Sequence, residues 1–212
     1  MARPPLSAEQ TRQTRESLLR VAQELYEQGG IEAMSFRAIA ARMGCSTTMP
    51  YSYFASKADI VDGVRIAAYG WIRDVISVAA SSAEDPIDAL QALAAAYVRA
   101  GVERPRLYEL LYSDAGLLDE TDPRLVEAKL AALGVCQQVI EAAAASAKVV
   151  LTFDPTTTAH LFWVAAHGLV SLQTGGFLVV GRTVEQLLPA LFAAMSVGVT
   201  QGATDLMEVP RR

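Results

Sequence analysis

The sequence predicts an all-α protein, on three observations. Strong helix formers dominate its 212 residues, no strictly alternating apolar run is bounded by turn residues, and apolar positions recur at helical spacing. With 52% hydrophobic and 19% charged residues the chain can bury a large interior, which excludes a disordered or fibrous protein.

The helix starts are marked locally. Asp85-Pro86, Asp122-Pro123 and Asp154-Pro155 each precede an apolar-periodic run, where the aspartate can cap and the proline can take the first helical position. Ser7 with Gln10, Ser56 with Asp59 and Thr183 with Gln186 have the spacing of capping boxes. These signals predict nine helices, near 8–28, 35–43, 47–53, 57–80, 86–101, 106–113, 123–147, 155–174 and 184–201. The polar break Ser81-Ser82-Ala83-Glu84-Asp85 turns the chain without forming a tether, so the helix at 57–80 is expected to belong to two bodies.

Charge is uneven. The chain carries 18 Lys and Arg against 23 Asp and Glu, a net −5. Residues 1–65 hold eight basic against seven acidic side chains, and residues 66–212 hold ten against sixteen, so contact with a polyanion is expected at the front. Two cysteines, Cys45 and Cys136, stand far apart in no metal-ligand spacing, which disfavours a disulfide framework or a zinc site and suits a reducing cytoplasm. The opening residues hold no export signal. Residues 155–181 and 186–204 lack charged side chains, but His160, His167, Gln173, Gln186, Pro189 and Gln201 would go unsatisfied in lipid, so buried helices are expected rather than membrane spans.

The front of the chain carries the clearest local pattern. In the helix at 35–43, Phe36, Ile39, Ala40 and Met43 form one apolar stripe, with Ser35 as a cap and Arg37 and Arg42 off the stripe. Gly44 permits a left-handed stop, and Ser46-Thr47-Thr48 supplies another start two residues on. Helix, glycine turn and short helix is the helix-turn-helix layout. The second helix offers Thr47, Thr48, Met49, Tyr51, Ser52 and Tyr53, hydroxyls and aromatics suited to phosphates and base edges, with Lys57 next to them. A plain surface hairpin would have a similar composition, and residue types alone leave both readings open.

The stretch Thr14 to Val64 resembles the DNA-binding domain of TetR-type transcriptional repressors, above all from Ser35-Phe36-Arg37-Ala38-Ile39-Ala40 through Gly44-Cys45-Ser46 to Tyr51-Ser52-Tyr53-Phe54-Ala55-Ser56-Lys57. The resemblance implies phosphate contacts from Ser35, Arg37 and Lys57 and groove contacts from Ser46, Thr47, Thr48, Tyr51 and Tyr53. Pro50 departs from the aliphatic residue more common there and argues for a recognition helix beginning at Thr47 or Thr48. Cys45 replaces a common Val or Ile and reads as a small apolar plug, with a redox-sensing thiol as the alternative. Further on, Trp163 with His167-Gly168 resembles the Trp-x-x-x-His-Gly pattern of one class of TetR-type C-terminal domains.

The expected organisation is a helix-turn-helix domain at 8–65 and a larger helical effector-binding and dimerisation domain at 66–205. Trp163 and His167, one turn apart, could line a cavity with Tyr97, Tyr108, Tyr112 and Phe162, although a packed core would look the same. His160 and His167 are two turns apart, too far to grip one metal ion, and no residue pattern calls for a metal or cofactor. Leu187, Leu188, Leu191, Phe192 and Met195 form a broad stripe which, with Leu169, predicts a homodimer contact. The partners expected are therefore double-stranded operator DNA, an apolar or amphipathic small-molecule effector and a second copy of the chain, with no membrane. The reading is a repressor released by its effector. A regulator without an effector, constitutive or responding to Cys45 oxidation, is the alternative, and an enzyme using His160 or His167 as a base is a third.

Overall fold

Each Asp-Pro pair begins a helix. In the computed structural model, which describes residues 7–113, 120–146 and 149–199, Asp85 Oδ1 accepts from the Ile87 amide at 2.8 Å, Asp122 Oδ1 from Arg124 at 2.9 Å and Asp154 Oδ1 from Thr157 at 3.0 Å. At the front, Ser7 and Gln10 make a full capping box. Ser56 Oγ accepts from the Asp59 amide, while Asp59 reaches back to the Ala55 amide.

The described residues form eight α-helices: α1 Ala8–Ala33, α2 Phe36–Met43, α3 Lys57–Ser81, α4 Pro86–Glu103, α5 Pro105–Leu111, α6 Pro123–Ala145, α7 Pro155–Thr174 and α8 Val184–Val199. The expected end of α1 at residue 28 coincides with a break. Gly29 and Gly30 leave helical geometry, Gly30 at φ 68°, before one last turn.

The ninth expected helix, at 47–53, is replaced by a single 3-10 turn, Pro50–Ser52. Pro50 has no amide hydrogen to give a preceding turn, and the amides of Met49, Ser52 and Tyr53 each bond three residues back, to Ser46, Met49 and Pro50. A recognition helix beginning at Thr47 or Thr48 is thus corrected to a turn whose proline is buried.

The chain divides into two compact units, Met1–Tyr69 with Arg104–Val126 and Gly70–Glu103 with Glu127–Arg212. The division falls inside α3, between Tyr69 and Gly70. In the first unit Leu18, Met34, Ile39, Phe54, Ile60 and Val64 are buried, and the Arg15 guanidinium lies 4.8 Å over the Phe54 ring. Helix α5 joins this core through Leu107, Leu110 and Leu111. In the second unit α4 packs on α7 and α7 on α8. Trp71 and Val75 of α3 are half-buried. Ile72 and Ile76 are the buried residues of this half of α3.

Candidate nucleic-acid interface and effector-side cluster

Ser35 caps α2 by accepting from the Ala38 amide at 3.1 Å, which fixes the start of the helix bearing Arg37. At its end Gly44 adopts φ 65°, and the Cys45 amide reaches the Ala40 carbonyl at 3.0 Å, closing the helix and reversing the chain. A residue with a Cβ would be strained at Gly44. The turn lifts Ser46, Thr47 and Thr48 into solvent, with the Ser46 and Thr48 hydroxyls 3.1 Å apart. Tyr51 follows, 62% exposed, its ring stacked on Phe36 at 4.0 Å with 10° between the planes. Tyr53 is half-buried and Arg37 exposed. Lys57 opens α3, its ammonium 3.7 Å from Glu32, and Arg42 stands 3.7 Å from Glu24. The eight candidate DNA contacts thus lie within the segment that α2, the glycine turn, the 3-10 turn and the start of α3 present.

Behind this surface lies a set of contacts that sequence reasoning missed. Arg65, 2% exposed, donates from Nη2 to the Leu111 carbonyl at 3.2 Å and to Glu120 at 2.7 Å. The Tyr69 hydroxyl donates to the same carbonyl at 2.7 Å, and burial pushes its pKa up to about 12. At the other end of α5, Arg104 pairs with Glu27, and Arg106 donates to the carbonyls of Glu27 and Gln28 at 2.8 and 2.7 Å. The usable signal was a lone arginine among Val61, Val64 and Ala68 on α3.

The expected effector residues separate. Tyr97, Phe162, Trp163 and His167 lie in the second unit; Tyr108 and Tyr112 lie in the first, their rings 5.4 Å apart. The Trp163 indole donates to the Tyr97 hydroxyl at 3.1 Å, the His167 ring lies 6.5 Å from that of Trp163, and the His160 ring 6.0 Å. Phe162 is buried and packs on Phe192 of α8 at 5.1 Å. Leu169, expected on a dimer face, is buried inside the protomer, on the part of α7 that also buries Phe162, Ala166 and Val170. Cys45 is half-buried, and burial raises the Cys136 thiol to about 12. Among the described residues no cluster of side chains could hold a metal ion, and no helix is long and apolar enough to cross a membrane.

Residues 18–64 match the family described as bacterial regulatory proteins, tetR family, and residues 90–195 match the tetracyclin repressor-like C-terminal domain. The chain belongs to the TetR family. It is a DNA-binding transcription regulator rather than an enzyme, with the family's all-α helix-turn-helix and C-terminal parts. No curated protein sequence matches it. Among solved structures it is similar to a protein of unknown function from Rhodococcus sp. RHA1, with 22% identity, TM-score 0.77, and 88% of this chain and 95% of that one covered. It is also similar to a TetR family transcription regulator from Marinobacter aquaeolei VT8, at 16% identity, TM-score 0.65, and 92% and 99% coverage. The regulator FadR from Bacillus subtilis, in complex with stearoyl-CoA, follows at 13% identity, TM-score 0.67, and 87% and 98% coverage. At these identities the likeness carries the fold.

The burial of His167 carries an expected pH dependence of stability. Burial lowers the pKa of His167 below its ordinary value of 6.5, so the unfolded chain binds more protons than the folded one in the window beneath that value. Stability should therefore fall as pH drops through 6.5 toward the folded pKa, and His167→Gln should remove part of that slope. Urea unfolding at pH 7.5 and 5.5 (about one unit either side of the ordinary value) checks this, and parallel behaviour of the two proteins would refute it.

Proposed function

We propose that this TetR-family regulator is a cytoplasmic repressor that binds double-stranded operator DNA as a two-fold dimer and is released by an apolar or amphipathic small molecule. The observation that carries the DNA half is the exposed row Ser46, Thr47, Thr48 and Tyr51, held by the Gly44 turn and flanked by Arg37 and Lys57. Hydroxyls and an aromatic between two cations suit base edges and sugars flanked by phosphates.

The dimer reading rests on α8. Glu185 is its one charged residue, and Val184 is its one fully buried residue among those described. Leu187, Leu188, Leu191, Phe192 and Met195 are only half-buried, Pro189, Ala190, Ala193 and Ala194 are exposed, and Val164 and Leu172 of α7 add to the apolar surface. A second copy covering this face would form a four-helix contact and set two recognition turns about 34 Å apart on a near-palindromic site.

We place the effector beside Tyr97, Phe162, Trp163 and His167, where an indole, an imidazole and a phenol meet apolar surface. Tyr108 and Tyr112, which belong to the unit holding the DNA-binding helices, pack around α5 instead. The route outward is covalent. Helix α4 runs into α5 through Arg104, and α5 is tied to α1 and α3 within the DNA-binding unit. An effector that favours one position of α4 would then act on the recognition turn, and a tenfold loss of DNA affinity needs about 1.4 kcal/mol of such preference.

Three measurements test these parts. On DNA selected from a randomised pool, Lys57→Ala should weaken binding to all sequences and reduce the salt slope by about one, whereas Thr48→Ala should change sequence preference. Binding indifferent to salt and to both substitutions would refute the DNA assignment. Light scattering at micromolar concentration should show a dimer that Leu191→Arg dissociates, and a monomeric wild-type chain would overturn the assembly. For the effector, reciprocity requires that DNA weaken ligand binding by the factor by which ligand weakens DNA binding. Trp163 fluorescence in a Trp71→Phe background reads this with stearoyl-CoA as the first candidate, and a ligand affinity unchanged by DNA would mean that the ligand does not regulate the protein.

A further inference from the structure

The backbone of the proposed recognition segment is a 3-10 turn rather than an α-helix. The amides of Met49, Ser52 and Tyr53 make short three-residue reaches, the Phe54 amide bonds the Pro50 carbonyl at 3.1 Å, and Pro50 donates none. Tyr51 nonetheless projects into solvent, 62% of the residue exposed, where an unsupported side chain would move among rotamers. What meets that ring is Phe36, nearly parallel at a centroid distance of 4.0 Å. Phe36 is the first residue of α2, and that helix is pinned at both ends, by the Ser35 cap and by the left-handed Gly44. Phe36 therefore does more than fill the apolar stripe, for it is only half-buried and its ring face is spent on an exposed partner.

We infer that Phe36 is a positioning residue for DNA recognition, holding the Tyr51 ring in its DNA-competent orientation before the duplex arrives. This rests on Tyr51 being a DNA contact. The stack fixes the plane of the phenol, hence the direction of its hydroxyl, and removes from the binding step the cost of ordering a large side chain. The capped start of α2 thereby orients an exposed ring that the backbone of its own turn does not.

The test is a double-mutant cycle on the full chain, with a duplex selected by the wild-type protein from a randomised pool. Phe36→Leu, which keeps an apolar side chain and loses the ring, should weaken binding about tenfold, or about 1.4 kcal/mol, whereas Phe36→Tyr, which keeps the stack, should stay within about twofold of wild type. In a Tyr51→Ala background Phe36→Leu should cost nothing further. Without DNA, the Tyr51 ring protons should show an upfield ring-current shift by NMR that Phe36→Leu abolishes and Phe36→Tyr retains. Equal losses from Phe36→Leu with and without the Tyr51 ring would overturn the inference while leaving Tyr51 as a DNA contact. Tyr51→Ala without effect on DNA affinity would overturn both. A Tyr51 ring shift unchanged in Phe36→Leu would show that the stack does not hold the ring, and would overturn the inference alone.

Discussion

One backbone oxygen organises the DNA-binding unit. The Leu111 carbonyl ends α5, where the helix dipole leaves partial negative charge, and it accepts from the buried Arg65 guanidinium and the Tyr69 hydroxyl of α3. A guanidinium this deeply buried is costly unless its donors are satisfied, and here Glu120 takes another of them. Hydrogen bonds to charged groups contribute roughly 1.5–3 kcal/mol each, enough to decide where a seven-residue helix docks. Because Arg104 and Arg106 fasten its other end to α1, α5 belongs to the unit that reads DNA although it follows α4 in the chain.

That arrangement explains which parts of the fold were legible in the sequence. Features built from neighbours along the chain were readable: three Asp-Pro starts, the Ser7 box, the Ser35 cap and the Gly44 stop each depend on residues within four positions. The segment 47–53 was less legible, because a proline three residues after a polar start suits the first turn of an α-helix as well as a 3-10 turn. What the structure adds is the burial of Pro50, which accompanies the 3-10 turn and depends on packing that no local rule reads. The contacts of Arg65 and Arg104 join residues 46 and 77 positions apart, and no spacing rule reaches that far.

The candidate sites divide the same way. The exposure of Ser46, Thr47, Thr48 and Tyr51, the proposed DNA contacts, was legible because they lie close together in the chain and follow the Gly44 turn. The aromatic cluster was only partly nameable. Trp163 and His167 are a helical turn apart, but Tyr97 joins them from another helix, and nothing in the sequence separates it from Tyr108 and Tyr112, which pack elsewhere. Leu169 shows the same limit, since a strongly apolar helix does not reveal which side of it meets the protomer's own core.

The cations of the recognition surface are not idle in the free protein. Lys57 and Arg42 lie near Glu32 and Glu24 of α1, and Glu32 is almost wholly in solvent, so such pairs contribute little to stability and are screened by salt. They are weak enough to be replaced by phosphates, which bring more charge and release counterions. The carboxylates therefore act chiefly on selectivity. On the DNA contacts proposed above, they would lower the affinity of the surface for any polyanion and leave discrimination to the hydroxyls of Ser46, Thr47 and Thr48 and to the stacked ring of Tyr51.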